Sequence, residues 1–157
     1  MYRIRKITES EADEALNLAL DVFMEFEAPE YAPEGVETFR KDIMEGKQPD
    51  SDCKKGLGPM YAAFDGENMI GMARMRKTKT HISLMFVRKE YHRQGVATAL
   101  FRFLLEDILR ENPTLKEITL NSSPYGKPFY LHIGFIPLSD EQETDGIRFT
   151  PMKYIIC

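Results

Sequence analysis

THISLMFVRKEYHRQGVATALFRFL, residues 80–104, is the stretch whose reading decides the fold. Its first part alternates. Ile82, Leu84 and Phe86 are separated by His81, Ser83 and Met85, the period of a half-buried strand. Its last part is helical: Val96, Ala99, Leu100, Phe103, Leu104 and Ile108 recur along one face, with Arg102 and Glu106 spaced for an i,i+4 pair on the other. Between them lies a polar, cationic segment, Arg88 to Gln94, that ends at Gly95 as the helix opens.

A strand, a glycine turn and a helix in that order can hold an anion. The first turn of a helix has backbone N–H groups without intrahelical partners and a partial positive charge from the macrodipole. Glycine lets an anion approach that backbone closely. Arg93, Lys89 and Arg88 add charge, so residues 93–98 read as a cradle for phosphate or pyrophosphate. Gly95 alone does not decide this, because any such junction can carry a glycine. Neither G-x-G-x-x-G nor G-x-x-x-x-G-K-[ST] occurs in the chain.

The stretch resembles motif A of the GNAT superfamily of acyl-CoA-dependent N-acetyltransferases. Met85-Phe86-Val87 stands for the strand end, Lys89-Glu90-Tyr91 for the following P-E-Y, and His92-Arg93-Gln94-Gly95-Val96-Ala97 for [QR]-x-x-G-x-[GA]. Two positions depart from the pattern: His92 replaces Gln or Arg, and Lys89 replaces a common proline. A second block, NSSPYGKPFYLHIGF over residues 121–135, is similar to the family's motif B, with Asn121, Phe129-Tyr130 and Gly134-Phe135 at its spacing. The two blocks stand in the family's order and at its usual interval.

Length and composition are those of one domain, residues 1–157, large enough to bury a core without staples. The 43% hydrophobic and 29% charged content is ordinary for a soluble globular chain. Cys53 and Cys157 form no C-x-x-C, so two free thiols in a reducing compartment are expected and no metal. The start carries no apolar run, which points to neither a signal peptide nor a membrane span, and to a cytoplasmic protein. Asn121-Ser-Ser matches a glycosylation sequon, without meaning in that compartment. A net charge of −4 argues against nucleic acid as a partner.

Tyr2 and Ile4 alternate with Arg3 and Arg5 as a first strand. Thr8 and Glu11 form a capping box before a helix whose face is Ala12, Leu16, Ala19, Leu20, Phe23 and Phe26. Pro29 and Pro33 interrupt the chain, and a shorter helix spans Glu34 to Glu45. Lys47 to Gly58 reads as an exposed loop. Met60 to Phe64 and Met69 to Met75 flank Asp65-Gly66-Glu67-Asn68 as a hairpin. After the long helix, Ile118 to Leu120 is a strand and Tyr125 to Ile133 a short helix. Phe135-Ile136 and Ile147 to Tyr154 form a last strand pair joined by an acidic loop, residues 140–146. The order is β-α-α-β-β-β-α-β-α-β-β. The fold class is α/β (α+β): a mixed, mostly antiparallel sheet of six or seven strands with about four helices. The resemblance implies that the fourth and fifth strands are parallel and splay apart, with the cofactor in the gap.

For function, the resemblance implies acetyl-CoA as donor and direct attack by a primary amine in a ternary complex, with no metal. Such a reaction needs the amine deprotonated, the oxyanion stabilised and the thiolate protonated. Tyr130 corresponds to the family's general acid. Asn121 and Phe129 would contact the cofactor arm, and Met85 and Val87 would pair with pantetheine, the Met85 N–H serving the oxyanion. His92, Arg93, Gln94, Gly95, Val96, Ala97 and Thr98 would hold the pyrophosphate. His81, ordinarily titrating near pH ~6.5, is placed to act as general base, although some members use water instead. The acceptor side falls in residues 25–37. There Glu27, Glu30 and Tyr31, among further carboxylates, suit a cationic amine on a small molecule, a peptide or a protein. A homodimer sealed by Ile155-Ile156-Cys157 also fits the resemblance. Two other functions stand beside this one: an acyl-CoA-binding module without turnover, and an ATP-binding protein using Gly95.

Overall fold

The computed structural model describes residues 2–46 and 58–156. The expected loop from Lys47 lies almost wholly outside them, as do Cys53 and Cys157. Eight strands and four helices are described: β1 (Arg3–Lys6), α1 (Ala12–Phe26), α2 (Pro33–Gly46), β2 (Met60–Asp65), β3 (Asn68–Met75), β4 (His81–Val87), α3 (Val96–Glu111), β5 (Glu117–Ser122), α4 (Lys127–Ile133), β6 (Ile136–Pro137), β7 (Gln142–Thr144) and β8 (Ile147–Ile155). Strand order is β1-β2-β3-β4-β5-β8-β6, with β7 on β8. Every pairing is antiparallel except β4 with β5.

The central strands are buried on both faces, and their alternation builds two cores. Met60, Ala62 and Phe64 of β2 point to α1 and α2, where they meet Leu16, Phe23 and Ile43. Tyr61 and Ala63 point the other way, towards Leu100, Leu104 and Ile108 of α3. The amphipathic face read from the sequence seats α1 as expected. At its start the Thr8 N–H donates to Glu11 Oε1 (3.1 Å), and Arg5 grips the same carboxylate through two nitrogens. That half of the capping box closes a 3₁₀ turn over Glu9–Glu11 that feeds into α1.

The organising strand departs from simple alternation. Arg74 is opposite Leu84 but Met75 is opposite Ile82, which leaves Ser83 as an extra residue in β4. This is a β-bulge, and it switches faces. Ile82 packs in the α3 core, whereas Leu84 and Phe86 pack in the α1 core. The three residues therefore do not share a face. Arg74 and Ser83 hold the bulge side chain to side chain, Nε to Oγ at 2.8 Å. The acidic loop expected over residues 140–146 contains a strand of its own, because β7 folds back onto β8 at a two-residue turn, Asp145-Gly146.

Leu100 is fully buried under the sheet. Leu100→Ala should lower unfolding free energy by about 2–5 kcal/mol in urea titration, while exposed Arg102→Ala should stay within about 0.5 kcal/mol.

Candidate active site

Strands β4 and β5 pair only at His81–Thr119 and Ile82–Leu120, and beyond the bulge at Ser83 they part. The resulting cleft has a volume of about 1530 Å³. Its β4 wall presents backbone groups that β3 does not bond. The Arg88 N–H donates to the Ile70 carbonyl (2.8 Å), and Val87, Phe86 and Met85 lie opposite Gly71, Met72 and Ala73. Antiparallel partners alternate between bonded and non-bonded pairs. Met85 and Val87 therefore turn their N–H and C=O groups away from β3, towards the gap. One of these is engaged within the chain: His92 Nε2 lies 2.7 Å from the Val87 oxygen. The same imidazole packs on Phe26 at 4.9 Å.

At the mouth of the gap, Gly95 caps α3 with φ 81°, in the left-handed region. A Cβ there would have room, its nearest contact being Tyr2 Oη at 3.8 Å, so the backbone angle is what calls for glycine. Arg93 adopts the same region at φ 62°, a conformation that costs a side-chain-bearing residue about 1–2 kcal/mol. The loop is pinned from below by Tyr91, whose hydroxyl donates to Asp65 Oδ2 (2.6 Å). The amides of Val96, Ala97 and Thr98 open the helix without intrahelical acceptors, and these three residues, with Gly95, His92 and Arg93, line the cleft. Gln94 does not. Its side chain donates to the Glu90 carbonyl (3.0 Å) outside the cleft.

The opposite wall comes from β5 and α4. Asn121, Phe129 and Tyr130 line it, and Tyr130 packs edge-on against Phe135 at 5.5 Å. The end of α1 and the turn after it close the third side with Glu27 and Tyr31. The Tyr31 hydroxyl donates to the Arg148 carbonyl (3.1 Å). Glu30 is exposed and outside the lining, as are Glu25, Glu34 and Glu37, so one carboxylate of that acidic run faces the cleft. Among the described residues no cluster of three or more His, Cys, Asp or Glu is placed to hold a metal, and no helix is long and apolar enough to cross a membrane.

With this geometry in place, the family model described as "Acetyltransferase (GNAT) domain" matches residues 27–156. The chain belongs to the GNAT family. Solved structures agree at the level of fold. A GCN5-related N-acetyltransferase of Rhodopseudomonas palustris superposes with a TM-score of 0.79 at 16% identity, over 98% of this chain and 95% of that one. The PaiA N-acetyltransferase of Thermoplasma acidophilum, solved in complex with coenzyme A, gives 0.76 at 18% identity over 99% of each chain. A GNAT-family acetyltransferase of Staphylococcus aureus gives 0.73 at 16% identity, again over 99% of each. No curated protein matches the sequence.

In this GNAT cleft the titratable groups are set apart by their surroundings. Burial pushes the Glu27 carboxyl up to about 7; the Ser123 hydroxyl works against this and the Glu30 charge adds to it. Burial, and then the Glu27 charge, raises the Tyr130 hydroxyl, which keeps its proton at neutral pH. His81 moves the other way. Burial and then Arg76 bring it down to about 4, and its Nδ1 lies 2.8 Å from Thr119 Oγ1 at the vertex of the two strands. Sequence reasoning placed Glu27 in the acceptor region without its raised pKa, and it passed over Ser123 and Tyr125, which also line the cleft. Ser123 accepts from the Gly126 N–H (3.0 Å), and a Cβ on Gly126 would come within 3.2 Å of both Ser123 Oγ and the Tyr130 ring. That glycine lets the turn between β5 and α4 pack closely under Tyr130.

A carboxyl raised in the folded state binds more protons there than in the unfolded chain. Its contribution to stability is present below the unfolded value, near 4.5, and is lost as pH rises through about 7. Urea unfolding from pH 4.5 to 7.5 should show the wild type losing stability relative to Glu27→Gln across that window.

Proposed function

We propose that this protein is an N-acetyltransferase that uses acetyl-CoA to acetylate a primary amine by direct attack in a ternary complex. The observation that carries this reading is the opposite poise of Glu27 and Tyr130 in one cleft: a carboxyl titrating near neutrality and a hydroxyl that stays protonated. A base for the amine and an acid for the leaving thiolate are the two proton carriers the reaction needs.

The fit to the cofactor rests on the chain's own features. The gap offers the strand edge that β3 leaves free at Met85 and Val87, with His92 on the Val87 carbonyl, suited to an extended amide-bearing arm. The mouth offers helix amides at Val96, Ala97 and Thr98 with the Arg93 charge beside them, suited to a pyrophosphate. Asn121 and Phe129 face the arm from the other wall. When bound, acetyl-CoA supplies an acetyl group activated as a thioester. Glu27 would take the proton from the acceptor ammonium, the Met85 N–H would be available to a carbonyl oxygen gaining charge, and Tyr130 would supply the proton a departing thiolate needs, regaining one from the nitrogen as the amide forms. His81, with a value of about 4, is too weak a base at neutral pH to compete with Glu27. It holds the strand vertex instead.

The pH–rate profile tests this. Activity should rise with pH through about 7 as Glu27 loses its proton. Glu27→Gln should lose about 10²–10⁴-fold in kcat together with that limb, and His81→Gln should keep it. Tyr130→Phe should lower kcat by about 10²-fold or more with KM little changed. A limb that persists in Glu27→Gln and vanishes in His81→Gln would reverse the assignment.

A further inference from the structure

The acceptor side of the cleft is shut along one edge by a contact between main chains. The residue pair is Gly35, in the first turn of α2, and Gly146, at the tip of the β7–β8 hairpin. A Cβ on Gly35 would overlap the Gly146 carbonyl outright, and a Cβ on Gly146 would come within 2.8 Å of the Gly35 Cα. Asp145 and Gly146 both have positive φ, 52° and 79°, the Asp-Gly form of a tight two-residue hairpin turn.

Hydrogen bonds stitch the same edge. The Thr38 hydroxyl shares its proton between the Asp145 carbonyl (2.8 Å) and the Glu34 carbonyl of its own helix (2.9 Å), Tyr31 Oη donates to the Arg148 carbonyl (3.1 Å), and Arg148 Nη1 to the Glu30 carbonyl (3.1 Å). Tyr31 and Thr38 on one side and Asp145 and Ile147 on the other all line the cleft, so the clasp closes the cleft itself. An extended peptide needs a slot of roughly 5 Å, the spacing of neighbouring strands. Two glycine main chains in contact leave none.

From this closed edge we infer that the acceptor is a small molecule presenting a primary amine end-on, and that a lysine within a polypeptide is excluded. The inference rests on the acetyl-transfer reading and narrows it. A chain passing through the cleft needs an opening on both flanks of its lysine. A free amine needs one entrance and a carboxylate at its end, which is Glu27.

The test is a rate comparison with the full chain and acetyl-CoA, following thiol release and confirming products by mass spectrometry. The free amines are phenethylamine, spermidine, glucosamine and lysine; the competitor is a peptide blocked at both ends with a single central lysine. The best free amine should exceed the peptide by about 100-fold or more in kcat/KM. Equal rates would overturn the inference. Gly35→Ala, which must push the hairpin away, and the milder Thr38→Val should each cut that ratio by about tenfold while the thermal shift with acetyl-CoA is kept. An unchanged ratio in both variants would remove the clasp as the cause. If neither kind of amine is acetylated although acetyl-CoA still shifts Tm, the transfer reading itself fails and this inference falls with it.

Discussion

The parting of two parallel strands is the constraint on which the rest of this structure depends. β4 and β5 share two residue pairs and no more. Had they continued together in the same register, Met85 and Val87 would have spent their main-chain groups on the residues around Ser123 and Tyr125. Buried backbone groups are nearly always paired, so a gap of this kind is costly unless water or a ligand fills it. The bulge at Ser83 makes the divergence possible. It sends Ile82 into one core and Leu84 and Phe86 into the other, so the strand stays anchored on both faces while its edge is left open.

The functional groups are arranged around that edge by elements far apart in sequence. α3 supplies amides at the mouth, α4 supplies Tyr130, and the end of α1 brings Glu27 in from the third side. Desolvation is the largest electrostatic effect on both Glu27 and Tyr130. It disfavours the charged form of each, so a carboxyl moves up into the neutral range and a phenol moves further above it. The same effect lowers His81, because burial disfavours the imidazolium. One physical cause thus acts on all three groups, raising Glu27 and Tyr130 and lowering His81.

Much of the fold was legible in the sequence because it depends on short-range patterns. The helical faces of α1 and α3, the hairpin of β2 and β3, the Thr8–Glu11 start and the glycine ends of the motifs are all local signals. The glycine turn that opens α3, and the placing of Asn121 and Phe129-Tyr130 along one wall of the cleft, were readable for the same reason. The bulge was not, since Ile82, Leu84 and Phe86 look like one regular face until the register with β3 is known. Nor did periodicity show which carboxylate of residues 25–37 turns inward. Pro29 and Pro33 break the helical phase there, and the partner of Glu27 is a residue about a hundred positions away, Ser123, which hydrogen-bonds it. The clasp of Gly35 on Gly146 has the same character: each glycine reads locally as a turn, and only the fold shows that they touch.

The central claim is that the open edge of β4 and the first turn of α3 together receive acetyl-CoA. Amide chemical-shift mapping on the labelled protein addresses it residue by residue. Adding acetyl-CoA should move the amides of Met85 and Val87 together with those of Gly95 to Thr98, while those of Ile108 to Glu111 at the other end of α3 stay in place. Shifts confined to other surfaces, or equal shifts with ATP, would contradict the account.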